Sequence, residues 1–221
     1  MRLLLIRHGQ TPANVEGRLN TAIPGPGLTP LGESQAAAIP EGLRGEPIDA
    51  LYASSLVRTQ FTAAPLADDR GLAVRVLPGI HEIEAGDLED RSDHASVRAY
   101  LETVWAWGTG DLSPVMPGAG DGHAFFARFD ADIAVVAAES EYAAVVSHGA
   151  AIRVWVAGRA TNVPPSYAGR HEIDNTGIIE LEGSPETGWT LVAWQGTPVG
   201  GAVLTDASAG DPTGEAPDEV G

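Results

Sequence analysis

Apolar residues fill every position from Leu3 to Ile6, and the run stops at the polar pair Arg7-His8. A segment with no polar face is the pattern of a parallel strand covered by helices on both sides, so residues 2–6 read as a strand. Tyr142 to Val146 repeats the pattern and runs into Ser147-His148-Gly149. Ile48 to Ala53 reads as another strand, and Leu72 to Leu77 as a further one at an edge. Between strands the period lengthens. Thr29-Pro30 looks like an N-cap followed by proline at the first helical position, opening a helix through Ala38. Ser54 or Ser55 is placed to cap a helix reaching about Ala64 or beyond, with Pro65 able to end or kink it. Residues 94–107 and 122–138 read as helices, the second with Phe125, Phe129 and Ile133 at i, i+4 and i+8. Residues 150–157 form a short helix. The stretches "TGIIELEG" and "GWTLVAWQG" read as two strands of a hairpin.

Strands alternating with helices predict an α/β fold with a mostly parallel central sheet and helices on both faces. The 221 residues are enough for one such domain, expected over 1–199. From about Gly200 the chain holds Gly, Ala, Pro and acids but no basic residue, so 200–221 is expected to be an acidic disordered tail. The long segment Gly9 to Leu28, rich in Pro, Gly and Asn, reads as a functional loop. In open α/β sheets, ligands sit at the carboxyl ends of strands. His8 and His148 both fall at such ends and would share a crevice if their strands are neighbours.

Charge narrows the partners. The formal net charge is −17, and all 13 basic residues are arginine. Such a surface repels nucleic acid and anionic membranes. Every local positive charge must then come from arginine, which directs attention to Arg7 beside His8. There is no cysteine, which excludes disulfides, a thiolate nucleophile and Cys-ligated zinc. No His/Asp/Glu cluster has a recognisable metal-ligand spacing. "MRLLLI" is too short for a secretory h-region, and no apolar stretch approaches a membrane span. The expected location is cytoplasmic.

A lone histidine at a strand end usually bonds a backbone carbonyl and does nothing else. His8 differs in having Arg7 adjacent: neutral imidazole is a nucleophile, and arginines attract a phosphoryl group. Gly9 would let the backbone approach a ligand. Arg58 alone reads as a helix arginine in an ion pair.

The stretch Arg7-His8-Gly9-Gln10-Thr11-Pro12-Ala13-Asn14 resembles the R-H-G-x-[ST]-x-x-N signature of the histidine phosphatase superfamily, the phosphoglycerate mutase-like group. "SSLVRTQFTA" is similar to that family's second arginine motif, "IHEIEAGDLED" to its acidic loop, and "VVSHGAAIR" to its second histidine motif. "GLTPLGESQA" and Asn175-Thr176 resemble further family segments. The likeness spans roughly residues 1–195. It implies a phosphoglycerate mutase-like fold, with His8 as nucleophile and Glu82 as general acid. It further implies that Arg7, Asn14, Arg58 and His148 hold the phosphoryl oxygens, with Gly149 opening a helix whose N-terminal amides favour an anion.

The implied activity is a phosphatase that hydrolyses small phosphomonoesters through a phosphohistidine intermediate, with no cofactor and no metal. Two alternatives stay open: a cofactor-dependent phosphoglycerate mutase, and a non-catalytic phospho-ligand binding module on the same fold. Mutases of the family carry clustered arginines and lysines in a longer insertion. Here residues 90–120 hold only Arg91 and Arg98, which favours the phosphatase. The family's usual W-x-G after the acidic glycine is replaced by Asp87-Leu88-Glu89-Asp90. Glu84, Asp87 and Glu89 read as solvated or structural, Trp105 and Trp107 as core, and His81 as a neighbour able to tune Glu82. The expected partner is a small-molecule phosphate ester, and a homodimer is left open.

Overall fold

The computed structural model describes residues 1–214. Its sheet has six strands: β1 (Arg2–Arg7), β2 (Ala50–Ala53), β3 (Val74–Val76), β4 (Tyr142–Ser147), β5 (Ile178–Ser184) and β6 (Gly188–Gln195), in the order β3-β2-β4-β1-β5-β6. The pairs β1–β4, β2–β4 and β2–β3 are parallel, and β5 and β6 form the expected antiparallel hairpin against β1. The fold is therefore α/β with a mostly parallel sheet, and β3 lies at an edge as expected.

Period-two alternation explains why β1 has no polar face. Leu3 and Leu5 join a cluster with Val145, Phe129 and Trp155, beneath α4 (His94–Gly108), α5 (Gly122–Glu139) and α6 (Gly149–Arg159). Leu4 and Ile6 point the other way, to Ile39 of α2 (Pro30–Gly42) and Ala63 and Leu66 of α3 (Val57–Arg70). Phe125, Phe129 and Ile133 of α5 are all buried, as their spacing predicts. Two short helices, α1 (Pro12–Val15) and α7 (Ser166–Gly169), complete the set among the described residues.

Three local expectations change. Thr29 does cap α2, accepting from the Gly32 amide at 3.0 Å, but the helix runs past Ala38 to Gly42 with Pro40 inside it. Helix α3 likewise passes Pro65 and ends at Arg70, where Gly71 takes the left-handed conformation at φ 65°. Both helices bury a face against the sheet, and that burial outweighs one missing N–H donor. The third change concerns the cap of α3: its N-cap is Leu56, without a side-chain hydrogen bond, so neither Ser54 nor Ser55 fills that role.

The segment after Gly200 also departs from a disordered tail. Up to Gly214 it lies against the domain, with a 3-10 turn at Ala202–Leu204 and with Asp211 and Thr213 buried. Gln35 donates to the Leu204 carbonyl at 2.8 Å, and Gln10 to Asp206 at 2.9 Å. Composition misses this because the contacts are polar rather than apolar. The rest of the expected tail, 215–221, lies outside the described residues.

The sheet's central strand makes a direct test. Leu5 is fully buried in the larger cluster. Leu5→Ala should cost about 3 kcal/mol of stability, read as a lower denaturation midpoint with an unchanged denaturant slope.

Candidate active site

The in-register pairing Arg7↔Ser147 sets the carboxyl ends of β1 and β4 side by side. His8 and His148 follow directly, and their ring centroids lie 5.2 Å apart in an edge-on arrangement. Both rings are buried. The His8 Nδ1 lies 2.8 Å from the Gly9 carbonyl. A carbonyl only accepts, so Nδ1 carries the proton, and in the neutral ring Nε2 holds the lone pair. Burial, then Arg58 and Arg7, lower the His8 pKa well below that of a free histidine. The ring is neutral because protonating it would add a cation to a buried site that already has two.

Arg7 ends β1 and is almost fully buried. Its Nη1 donates to the Ile173 carbonyl at 2.8 Å, and its Nη2 to Thr213 Oγ1 at 3.1 Å and to the Asp211 carboxylate. Arg58 lies in the first turn of α3 and is no surface arginine. Its Nη2 donates to the Asn20 carbonyl at 3.0 Å, and its Nε is buried without a hydrogen-bond partner. Among the described residues it forms no ion pair, so the plain reading of Arg58 as an ion-paired helix arginine does not hold. Burial lowers its pKa to about 10, against the pull of Glu82.

Glu82 is buried and lines the same pocket as His8, Asn14 and Arg58. Its Oε1 accepts from the Ile83 and Ala151 amides at 2.8 and 2.9 Å, and its Oε2 from Ala150 at 3.3 Å. Thus two of the amides opening α6 point at Glu82, where the sequence led us to expect them on a bound anion. Burial nevertheless raises the Glu82 pKa, against those hydrogen bonds and Arg58. His81 does not touch it: its ring bonds the Pro78 carbonyl and approaches Glu84 at 3.3 Å. Glu89 is structural, accepting from the Thr21 and Ala22 amides at 2.8 and 3.0 Å and so fastening the long loop. Trp107 is buried in the core, as expected, and donates to the Pro114 carbonyl at 2.9 Å.

The sequence profile of the histidine phosphatase superfamily (branch 1) matches residues 3–197 of this chain. The chain belongs to that superfamily. Three relatives show how it sits among histidine phosphatases. A PE-PGRS family protein of Mycobacterium tuberculosis, PE_PGRS11, is 42% identical over 219 residues, covering 91% of this chain. The match covers only 38% of that larger protein. The adenosylcobalamin/alpha-ribazole phosphatase of Escherichia coli K12 is 33% identical over 177 residues, 79% of this chain and 86% of the relative. The solved structure of a mycobacterial glucosyl-3-phosphoglycerate phosphatase superposes with a TM-score of 0.72 at 26% identity, covering 89% of this chain and 99% of that one.

Further side chains shape this histidine phosphatase pocket, Thr62 and Gln35 among them without a signal in the sequence. Ser54 lies with its Oγ 2.7 Å from His148 Nε2 and accepts from the Leu56 amide at 3.2 Å. Thr62 accepts from the Gly9 amide at 2.9 Å, and Gln35 from the Gln10 amide at 2.8 Å. Asn175 donates to the His8 carbonyl at 3.0 Å. Asn14 closes a capping box with Thr11, which aims its Nδ2 at Asp211, 3.1 Å away. These side chains pin the backbone on either side of His8, a role that leaves no mark in local periodicity.

Gly9 has a packing reason of its own. A Cβ there would lie 2.7 Å from the Gly32 carbonyl oxygen, and one on Gly32 would lie 2.2 Å from the Gln10 carbonyl oxygen. The two glycines allow the loop after His8 to cross directly over the first turn of α2. Gly32→Ala should therefore push Gln10 outward. We expect a loss of roughly 1–3 kcal/mol in stability and at least a tenfold fall in kcat/KM for p-nitrophenyl phosphate. Wild-type values of both would show that the crossing is not needed.

Proposed function

We propose that this chain hydrolyses small phosphomonoesters through a phosphohistidine formed on His8. One observation carries the reading. His8 is held as the neutral Nδ1–H tautomer by the Gly9 carbonyl, so its Nε2 lone pair sits in a pocket lined by Arg58 and Glu82. A phosphoryl group would be held by Arg7, Asn14, Arg58 and His148, donors matched to charge spread over its equatorial oxygens. Gly149 lets the chain run close by: a Cβ on it would lie 3.0 Å from Arg7 Nε.

In the first step the Nε2 lone pair forms a P–N bond while the ester P–O bond breaks, and Glu82 gives its proton to the departing alkoxide. In the second, the Glu82 carboxylate takes a proton from water as that water attacks phosphorus. The P–N bond breaks, releasing inorganic phosphate and neutral His8. The raised pKa of Glu82 suits an acid that must start protonated.

The mutase alternative is weaker. Arg91 and Arg98 are exposed and engaged with Asp93 and Glu102 at 2.9 and 2.8 Å, and neither lines the pocket. The relatives' names, a glucosyl-3-phosphoglycerate phosphatase and an adenosylcobalamin/alpha-ribazole phosphatase, support a small monoester as substrate. A net charge of −17 disfavours polyanions by long-range repulsion. No helix among the described residues is long and apolar enough to cross a membrane.

The mechanism makes two tests. Protein quenched in base during turnover should carry acid-labile phosphate, absent in His8→Ala, whose activity should be abolished; near-normal turnover by His8→Ala would end the proposal. The second test uses pH. His8 must be neutral and its pKa is lowered, so the rise of kcat/KM with pH should lie well below 6.5. Glu82 must be protonated and its pKa is raised, so activity should fall as pH climbs through a point above the usual carboxylate value of 4.5. Glu82→Gln keeps an acceptor for the Ile83 and Ala151 amides but has no proton to give. It should lose the descending limb and phosphorylate slowly with alkyl phosphates, while p-nitrophenyl phosphate, with its good leaving group, suffers much less. Equal slowing with both esters would remove Glu82 from the role of acid.

A further inference from the structure

The segment after Gly200 brings a carboxylate into the pocket. Asp211 is buried and pairs with Arg7 Nη2. Its Oδ1 accepts from Asn14 Nδ2 at 3.1 Å and from Thr213 Oγ1 at 3.2 Å. Thr213 follows it inward. Its carbonyl oxygen lies 2.5 Å from where a Cβ on Gly149 would be, and its hydroxyl takes a hydrogen bond from Arg7. The cavity left among His8, Asn14, Arg58, Glu82 and Thr213 is about 10 Å³. That is at most the space of one water molecule, with Thr213 forming part of its wall, so a phosphoryl group needs this wall to move.

We propose that Asp211 is an internal stand-in for the substrate's phosphoryl group and determines which anions the site accepts. This rests on the reading of Arg7 and Asn14 as phosphoryl ligands. The carboxylate offers these two donors two oxygens and one negative charge. A phosphate monoester near neutral pH brings up to two charges and three acceptor oxygens. It can displace Asp211 because it also reaches Arg58 and His148, which the carboxylate does not bond. A monoanion has no such surplus and is turned away. Upstream of Asp211 the segment has fixed points from which it can swing: the Leu204 carbonyl held by Gln35 and Asp206 held by Gln10. Displacement lowers the apparent affinity for every anion by the fraction of molecules that are open.

The test is calorimetric titration of inorganic phosphate and of acetate into the full chain, wild type, Asp211→Asn and Asp211→Ala, with melting curves to confirm folding. Removing one charge-assisted contact to Arg7 should tighten phosphate binding roughly tenfold, with the alanine variant at least as tight as the asparagine one. Acetate binding should become measurable in both variants. Unchanged or weaker phosphate binding in the folded variants would overturn the proposal, since Asp211 would then be a tether or a helper rather than a competitor. The readout needs no turnover. A chain that fails to hydrolyse p-nitrophenyl phosphate, yet binds phosphate more tightly without Asp211, would contradict the phosphatase reading and leave this one standing.

Discussion

Two guanidinium groups, Arg7 and Arg58, are buried at the carboxyl end of the sheet, and much of the site is arranged around them. A buried cation is costly unless it is paired or hydrogen-bonded. The fold answers with backbone carbonyls from Ile173 and Asn20, with the nearby Glu82 carboxyl, and with Asp211. It also keeps the neighbouring imidazoles uncharged. His148, like His8, has its pKa lowered well below that of a free histidine, first by burial and then by Arg58. The same condition that leaves His8 a free lone pair, as the proposed nucleophile requires, thus keeps cations from accumulating.

Glu82 shows how two opposed effects are balanced. The amides of Ile83, Ala150 and Ala151 and the two arginines favour its carboxylate, while complete burial favours the acid. Burial wins. A carboxyl poised in this way can give a proton in one step and take one back in the next. Two of its three hydrogen bonds come from the start of α6, so the helix that begins with Gly149 helps to orient this carboxyl directly. The segment holding His148 is the same one, which ties the placement of acid and second histidine to a single strand-helix junction.

A net charge of −17 on a chain that handles phosphate is less contradictory than it first looks. Positive charge is concentrated in one low-dielectric pocket, where it acts over short distances. The acids are spread over the surface, where water and salt screen them. Glu82 and Asp211 are exceptions, both buried, and Asp211 pairs with Arg7 itself.

Local pattern and local motif were enough for the strands that matter most and for the chemistry at their ends. Leu3 to Ile6 and Tyr142 to Val146 read as buried strands from their apolar runs, and the Arg7-to-Asn14 stretch, Arg58, Glu82 and His148 stood out through their likeness to family motifs, each a local stretch of the chain. Tertiary structure decided what depends on long-range contact. The parallel β1–β4 pairing brings together histidines 140 residues apart in sequence. Packing on the sheet carried α2 and α3 through Pro40 and Pro65. A Cβ on Gly9 would lie 2.7 Å from the Gly32 carbonyl oxygen, a constraint set by the crossing of two backbones. Ser54, read as a helix cap, became a partner of His148. The residues after Gly200 looked disordered because they lack apolar periodicity, but what holds Asp211 and Thr213 is charge and hydrogen bonding to Arg7 and Asn14. Those interactions depend on where a buried cation lies in space, and no window of sequence around Asp211 contains that information.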